Sequence, residues 1–428
     1  MIICEGYLLK KLEYVDPDEA FARLVKECTF KMGVDEIEVK NSFGRVLSED
    51  IQSGLDVPLL DSSHLDGYAV RSEDVNGATK HSPIKLRVCR NMELNEIPTA
   101  EIGPGEAYKV RTGSYIPTGC DAIAPKEDVT VKGDQIEIIS PLKPFAEIIP
   151  KSSDLKYGSL VYNSGHIIRA QDLGMLRLLK LETVKVYSKP IVSIASIGSE
   201  LTEDTHEAGK GKTLNTHAYT ISSLVEQAGG KPVYLGIVPD NIDDIKKTIS
   251  SGLEKSSIMV TIGGSSVGEA DFVAEAVSTL GNPGIIAHGL KLHPGRVAGC
   301  GVIERKAVII LPGLIQSTIN GFVYFVLPLI NYLTGKGFKR YEFSVPASIG
   351  TDIEYHKYHD FHKMSWVSLC RKGDQIFAEQ VKGDSPMRNV LIKADGYIMV
   401  QPNIDHVSNG TSVEVLMVPG LSSLPIKG

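Results

Sequence analysis

Between residues 190 and 311 the chain alternates two hydrophobic patterns. Continuous apolar runs, IVSIASI, PVYLGIV, IMVTI and AVIIL, have the length and β-branched content of buried strands. Between them, apolar residues recur at helical spacing. Residues 219–228 form one such stretch, closed by Gly229 and Gly230, and Ile242, Ile245 and Ile249 mark the face of the next. Asp240 is the expected cap of that second helix and Gly252 its expected end. Strands and helices in this alternation predict a doubly wound, mostly parallel α/β domain.

The flanking patterns differ. At Asp16-Pro17-Asp18-Glu19 a capping aspartate, a proline suited to the first helical position and a glutamate placed for a capping box announce a helix. Its apolar face is Phe21, Leu24, Val25 and Cys28. From about residue 37 to 149, short β-type runs such as IKLRVCR and AYKVR, punctuated by Gly, Pro, Asn and Asp, predict an inserted β-rich domain. Beyond residue 335, YEFSVPASI, SWVSLC, QIFAEQV, GYIMV and SVEVLMV are evenly spaced strands of a small β-barrel. The expected division is therefore 1–45 with 144–178 (a helical and β linker domain), 46–143 (the insert), 179–335 (α/β) and 336–428 (barrel).

Composition narrows the partners. The 428 residues carry a formal net charge of −7 and no dense basic block, which argues against nucleic acid. Residues 307–330, the most apolar stretch, are broken by Pro312, Gly313, Gln316, Asn320 and Pro328, a poor pattern for a membrane span. The amino terminus lacks the charge order of a signal peptide, so a cytoplasmic protein is expected. Six scattered cysteines, with no C-x-x-C pair, suggest neither a zinc cage nor a disulfide framework; each is expected to be a small buried hydrophobe.

In open α/β sheets ligands sit beyond the carboxyl ends of the strands. Three loops there are unusual: Gly198-Ser199-Glu200, Gly263-Gly264-Ser265-Ser266-Val267-Gly268, and Pro312-Gly313. Glycine lets backbone approach a ligand, and free N–H groups at a following helix start favour an anion such as phosphate. The same glycines also serve as tight connections. Asp271, expected in the first turn of the next helix, suits the helix dipole, yet with Glu200 it makes two carboxylates from separate strand ends, a usual arrangement for magnesium. His293-Pro294-Gly295-Arg296 offers two potential cations or an exposed hairpin, and Asp66-Gly67 and Thr112-Gly113 read equally well as turns.

Taken in order, PLLDSSHLDGYAVR, RTGSYIPTGCDAI, SIGSEL, GIVPDN, GGSSVGEADFV, HPGR and LPGLIQS resemble the molybdopterin molybdenumtransferase family, related to the carboxyl-terminal part of gephyrin. The resemblance implies a four-part subunit and a homodimer in which the insert of one chain faces the α/β cleft of the other. It implies insertion of molybdate into adenylylated molybdopterin, with release of AMP and assistance from Mg2+. It assigns catalytic roles to Asp66, Thr112, Glu200 and Asp271, with Glu200 and Asp271 on the metal. It assigns ligand binding to Asn215, Gly263, Gly264, Ser265, Gly268, His293, Arg296, Pro312 and Gly313. The chain departs from the family pattern at several positions: Asn215 stands in place of an acidic residue, Ser199 of an aspartate, His293 and Arg296 of lysines, and Leu314-Ile315 of Asn-Pro. The alternatives these departures leave open are a non-catalytic pterin- or nucleotide-binding paralogue or scaffold that has lost turnover, and an enzyme of the same fold for another phosphorylated or adenylylated metabolite. If Asn215 simply lacks a metal-binding charge, Asn215→Asp is expected to strengthen magnesium binding; if it caps the helix after it, the change is expected to be silent.

Overall fold

The central sheet of the computed structural model runs in the order Lys231–Val238, Ile191–Ile197, Ile258–Gly263, Lys306–Leu311, Gly299–Ile303, Gly284–His288. Residues 13–264 and 271–422 are described. The first four strands are parallel, and the last two run antiparallel to their neighbours. That reversal is local in origin. Glu304 and Arg305, at φ 49° and 62°, make a two-residue hairpin between Gly299–Ile303 and Lys306–Leu311.

Alternation along each strand divides the core into two layers. Val192, Ile194, Val260, Ile262, Ile309 and Leu311 pack on one side with the helix His217–Ala228. Ala195, Ile197, Met259, Val308 and Ile310 pack on the other, under Ile242–Lys255 and Phe272–Leu280. Each buried Val, Ile, Leu or Met among these contributes about 1.5–3 kcal/mol relative to exposure. Burial on both faces is why the strands read as unbroken apolar runs.

Two helix boundaries differ from expectation. Asn241, not Asp240, caps Ile242–Lys255, its side chain accepting from the N–H groups of Asp243 and Asp244. Asp240 instead accepts from Ser199 N–H at 2.8 Å, tying two strand-end loops together. Gly252 lies inside that helix rather than at its end, because a Cβ there would stand 2.8 Å from Met259 Sδ and 3.3 Å from Ser193 Cβ. Close packing on the sheet outweighs the roughly 1 kcal/mol helix penalty of glycine. The helix Pro17–Glu27 forms as expected, with Asp16 accepting from Asp18 and Glu19 N–H, and it buries Ala20, Phe21 and Leu24.

In the carboxyl-terminal region five strands close into a barrel. His362–Lys372 pairs with Gln375–Gln380 along one edge and with Gly396–Val400 along the other, and Phe343–Ile349 and Ser412–Met417 complete the ring. These parts belong with the α/β sheet to one compact unit. A second unit comprises residues 38–43 and 49–183. It contains a six-stranded sheet in the order Ala122–Pro125, Gly67–Val70, Glu106–Val110, Ile84–Asn91, Gln135–Ile138, Val129–Lys132.

Among the described residues no helix is long and apolar enough to cross a membrane. The cysteines divide, contrary to expectation. Cys28 and Cys300 are buried, and burial pushes both thiols up to about 12, whereas Cys89 is exposed and Cys120 and Cys370 are half-buried.

Candidate functional site

The carboxyl ends of Ile191–Ile197, Ile258–Gly263 and Lys306–Leu311 are adjacent in the sheet, so three of the unusual loops leave from one edge. Gly263 and Gly264 hold φ of +84° and +66°. A Cβ on Gly263 would stand 2.6 Å from the Ile197 carbonyl oxygen, and one on Gly264 would stand 2.6 Å from Ile197 Cγ2 and 2.8 Å from Val273 Cγ2. Only glycine fits this seat. Gly313 closes on it, since its Cβ would lie 3.8 Å from Gly263 Cα. The carbonyl of Pro312 accepts from Thr318 Oγ1 at 2.5 Å, which pins that turn to the helix Ile315–Gly321. Ser265 and Gly268 lie outside the described residues.

Asp271 is the cap of Phe272–Leu280 rather than a member of its first turn. Its Oδ1 accepts from Ala274 N–H at 2.9 Å. Its other oxygen is the less committed one. Oδ2 lies 2.8 Å from His288 Nε2, with the two side chains 13% and 16% exposed, yet among the described residues neither atom makes a hydrogen bond of good geometry. Glu200 is exposed and folds back over Gly198, where a Cβ would meet both carboxylate oxygens at 2.6 and 2.7 Å.

Asn215 is neither exposed nor a helix cap. Thr216 holds the cap position, and Asn215 is 3% exposed. Its Oδ1 accepts from Ser196 Oγ at 3.1 Å, while Nδ2 donates to Glu203 Oε1 at 2.8 Å and to the Tyr234 hydroxyl at 2.6 Å. The Tyr234 hydroxyl donates to the same Glu203 oxygen at 2.6 Å. Burial, and then the Glu203 carboxylate, push the Tyr234 phenol above its ordinary value, so it stays a donor.

His293 and Arg296 are not an exposed hairpin. His293 pairs in parallel with Lys363 of the barrel, and its ring lies 4.7 Å from that of Tyr358. Arg296 donates to Tyr14 Oη at 3.0 Å and stands 5.7 Å over the Tyr358 ring. Burial, followed by the charges of Arg296, Lys363 and Lys357, holds the His293 imidazole below its usual value, so it is neutral at pH 7. With Pro294, Gln316 and Lys363 it lines a cavity of about 290 Å³ between the sheet's loops and the barrel.

In the second unit Asp66 and Thr112 are brought together. Asp66 Oδ1 accepts from Thr112 N–H at 3.0 Å and from Thr112 Oγ1 at 3.1 Å, and Oδ2 from Lys126 Nζ at 3.1 Å. The Thr112 N–H, then Lys126, pull the Asp66 carboxyl down to about 2. Lys126, Glu203, Tyr234 and His288 are not singled out by the sequence; each meets its partner across 12 or more residues, beyond the reach of a local motif. Among the described residues the close-set trio of metal-type donors is Asp16, Asp18 and His362. Those groups cap a helix and bind Arg340 and Tyr324.

A glycine seat at the strand ends of a doubly wound sheet, flanked by capping and exposed carboxylates and followed by a closed barrel, defines a class: a multidomain protein built around an α/β domain whose ligand edge is the carboxyl end of its parallel strands. Three family models match in chain order. The MoeA N-terminal region (domain I and II) covers residues 15–179, the probable molybdopterin binding domain 193–332, and the MoeA C-terminal region (domain IV) 350–418. The chain belongs to the molybdopterin molybdenumtransferase (MoeA) family. It is 30% identical over 402 residues to the molybdopterin molybdenumtransferase of Haemophilus influenzae, covering 93% of this chain and 97% of the relative. To that of a Nostoc species it is 27% identical over 404 residues, covering 92% and 91%. The crystal structure of the molybdopterin biosynthesis MoeA protein from Pyrococcus horikoshii OT3 superposes with a TM-score of 0.81 at 28% identity, over 95% of this chain and all of that one.

Proposed function

We propose that this chain inserts molybdate into the dithiolene of adenylylated molybdopterin and releases AMP, working as a cytoplasmic homodimer with Mg2+. The observation that carries the reading is the seat at Gly263 and Gly264, where the Ile197 carbonyl oxygen stands 2.6 Å from the place of a Cβ on Gly263 and Ile197 Cγ2 stands 2.6 Å from that of one on Gly264. Held tight against its neighbour in this way, the turn leaves from the sheet's carboxyl edge, where a phosphate-bearing ligand meets main-chain N–H groups. Family membership supports the same substrate class.

The donor set suits magnesium, which needs one or two carboxylates and takes its remaining oxygens from water and substrate phosphates. Glu200 is an exposed carboxylate, and Asp271 has one buried oxygen without a well-formed hydrogen bond among the described residues. When bound, the ion would offset negative charge on the phosphates of the substrate. Asp271, locked as a helix cap, presents its second oxygen from a fixed position. Asp66, held ionised by Thr112 and Lys126, is an oriented acceptor suited to a substrate hydroxyl or ammonium group. The five described cysteines stand as free thiols, in keeping with a reducing compartment.

The test is direct. Purified protein mixed with adenylylated molybdopterin, Mg2+ and molybdate is expected to release AMP. Failure to bind the nucleotide would overturn the reading, and binding without release would replace it with the non-catalytic paralogue. Light scattering is expected to show twice the 46.4 kDa chain mass; a ligand-binding monomer would remove the dimer from the proposal.

A further inference from the structure

Two reversals of direction bring a residue that no motif marks back to the ligand edge of the sheet. Gly299–Ile303 runs antiparallel to Lys306–Leu311, and Gly284–His288 runs antiparallel to Gly299–Ile303. The edge strand therefore points the same way as the four parallel strands, and its carboxyl end, His288, lies at the edge from which the glycine seat leaves. The connection between the two is short. Asp271 caps the nine-residue helix Phe272–Leu280, and the five-residue strand Gly284–His288 then packs back along it. Such a helix advances about 13 Å and such a strand about 16 Å, so the start of the one meets the end of the other.

The meeting is close. His288 Nε2 stands 2.8 Å from Asp271 Oδ2, with both side chains largely buried. Two lone pairs at that distance repel, so the ring nitrogen facing the carboxylate is the one that carries a hydrogen. That N–H lies off the line of a well-formed hydrogen bond, so it attracts the oxygen without saturating its lone pairs. The ring is itself seated. His288 pairs with Gly299, and a Cβ on Gly299 would stand 3.1 Å from His288 Cδ2, so glycine leaves the imidazole room to lie across the neighbouring strand. One carboxylate is thus approached from two elements, at Oδ1 by the Ala274 N–H of its own helix and at Oδ2 by an imidazole from the edge strand.

We infer that His288 is a positioning residue for Asp271, its imidazole setting the direction in which Oδ2 meets the ligand. The inference deepens the proposed function and rests on its assignment of Asp271 to the ion and the substrate phosphates. A carboxylate held only by a helix cap keeps some freedom to turn its second oxygen. A contact from a separate, packed element removes that freedom before the ligand arrives, which is how groups behind a binding carboxylate raise affinity and rate without touching the ligand themselves.

The experiment uses the full chain and two variants: His288→Leu, which fills the space without a donor, and His288→Gln, whose amide nitrogen can take the place of the imidazole N–H. Thermal melts confirm the fold. Three properties are read: hydrogen exchange at the Ala274 amide, whose acceptor is the other oxygen of Asp271; calorimetric titration with Mg2+ alone; and kcat and KM for AMP release. His288→Leu is expected to speed exchange at Ala274, and to weaken Mg2+ binding and lower kcat about tenfold each, with KM for the nucleotide within about twofold. His288→Gln is expected to recover most of each property. Unchanged exchange at Ala274 in His288→Leu overturns the inference, as does an active parent whose Mg2+ binding and kcat survive that change. Two variants impaired alike overturn it too, since packing and not the donor is then what matters. A parent that neither takes up Mg2+ nor releases AMP overturns the proposed function, and exchange at Ala274 still decides whether His288 holds Asp271. Should His288→Leu fail to fold, His288→Phe, which keeps a flat ring over Gly299, takes its place.

Discussion

Two strand-end loops leave the same sheet edge, and they spend their polar groups differently. In the loop after Ile191–Ile197 every polar atom of the Asn215 side chain is engaged, on Ser196, Glu203 and Tyr234. In the segment after Ile258–Gly263, Asp271 spends one oxygen on the helix cap and brings the other against His288 without a proper hydrogen bond among the described residues. A saturated buried group specifies local structure, because its value is lost when any partner is removed. An unspent one is a cost that folding alone does not repay, and such costs gather where a ligand will meet them.

The sharpest way to break this contrast is Asp271→Asn. Asparagine caps a helix about as well as aspartate, so the melting temperature is expected to hold. The rate of AMP release is expected to fall about a hundredfold, a loss of roughly 2.7 kcal/mol in transition-state stabilisation. Retained activity in stopped-time AMP assays would mean that the second oxygen is idle. Asn215→Ala tests the other side. It removes the Oδ1 acceptor of the Ser196 hydroxyl and one donor to Glu203, and urea unfolding is expected to show a loss of about 2 kcal/mol. A change below about half a kcal/mol would show that the network is not a structural node.

The smallest expected effect concerns Asp66. Its folded-state value is depressed to about 2 by the Thr112 N–H and Lys126, against an ordinary 3.8. The interaction is therefore fully present above pH 3.8 and is lost as the pH falls through about 2. Removing one donor with Lys126→Ala should move the carboxyl up toward its ordinary value, seen by NMR titration of the Asp66 carboxyl carbon. Since Asp66 is solvent-facing, global stability at pH 7 should hardly change. A titration midpoint that stays at about 2 would assign the whole shift to Thr112.

Much of this architecture is written locally. Unbroken runs such as IVSIASI and IMVTI mark strands buried on both faces, and Asp16-Pro17-Asp18-Glu19 marks a helix start, because each signal lies within one turn or one strand. The helix boundary at Asn241 was missed by one residue, since Asp240 and Asn241 are both good caps and only the loop contact to Ser199 distinguishes them. Gly252 reads as a stop until Met259 and Ser193 are seen against it. The glycine seat was legible as a pattern but not as a necessity; the positive φ values and the Ile197 carbonyl supply that. What the sequence could not show is pairing at a distance. Asn215 meets Glu203 across 12 residues and Tyr234 across 19, and Lys126 meets Asp66 across 60, through strand register rather than periodicity.

The helix Pro17–Glu27 has a consequence for how the chain is made. It covers the strand Gly299–Ile303, with Cys300 Sγ 4.0 Å from the Ala20 carbonyl across a separation of 280 residues. A ribosome adding roughly 5–20 residues per second needs on the order of half a minute to supply that strand. Throughout that interval Phe21 and Leu24 are a nascent apolar face without the cover of that strand, so a helix made well before its partner strand is docked late. Residues 49–183, by contrast, include an entire six-stranded sheet within one continuous stretch and can close while the remainder is still being translated.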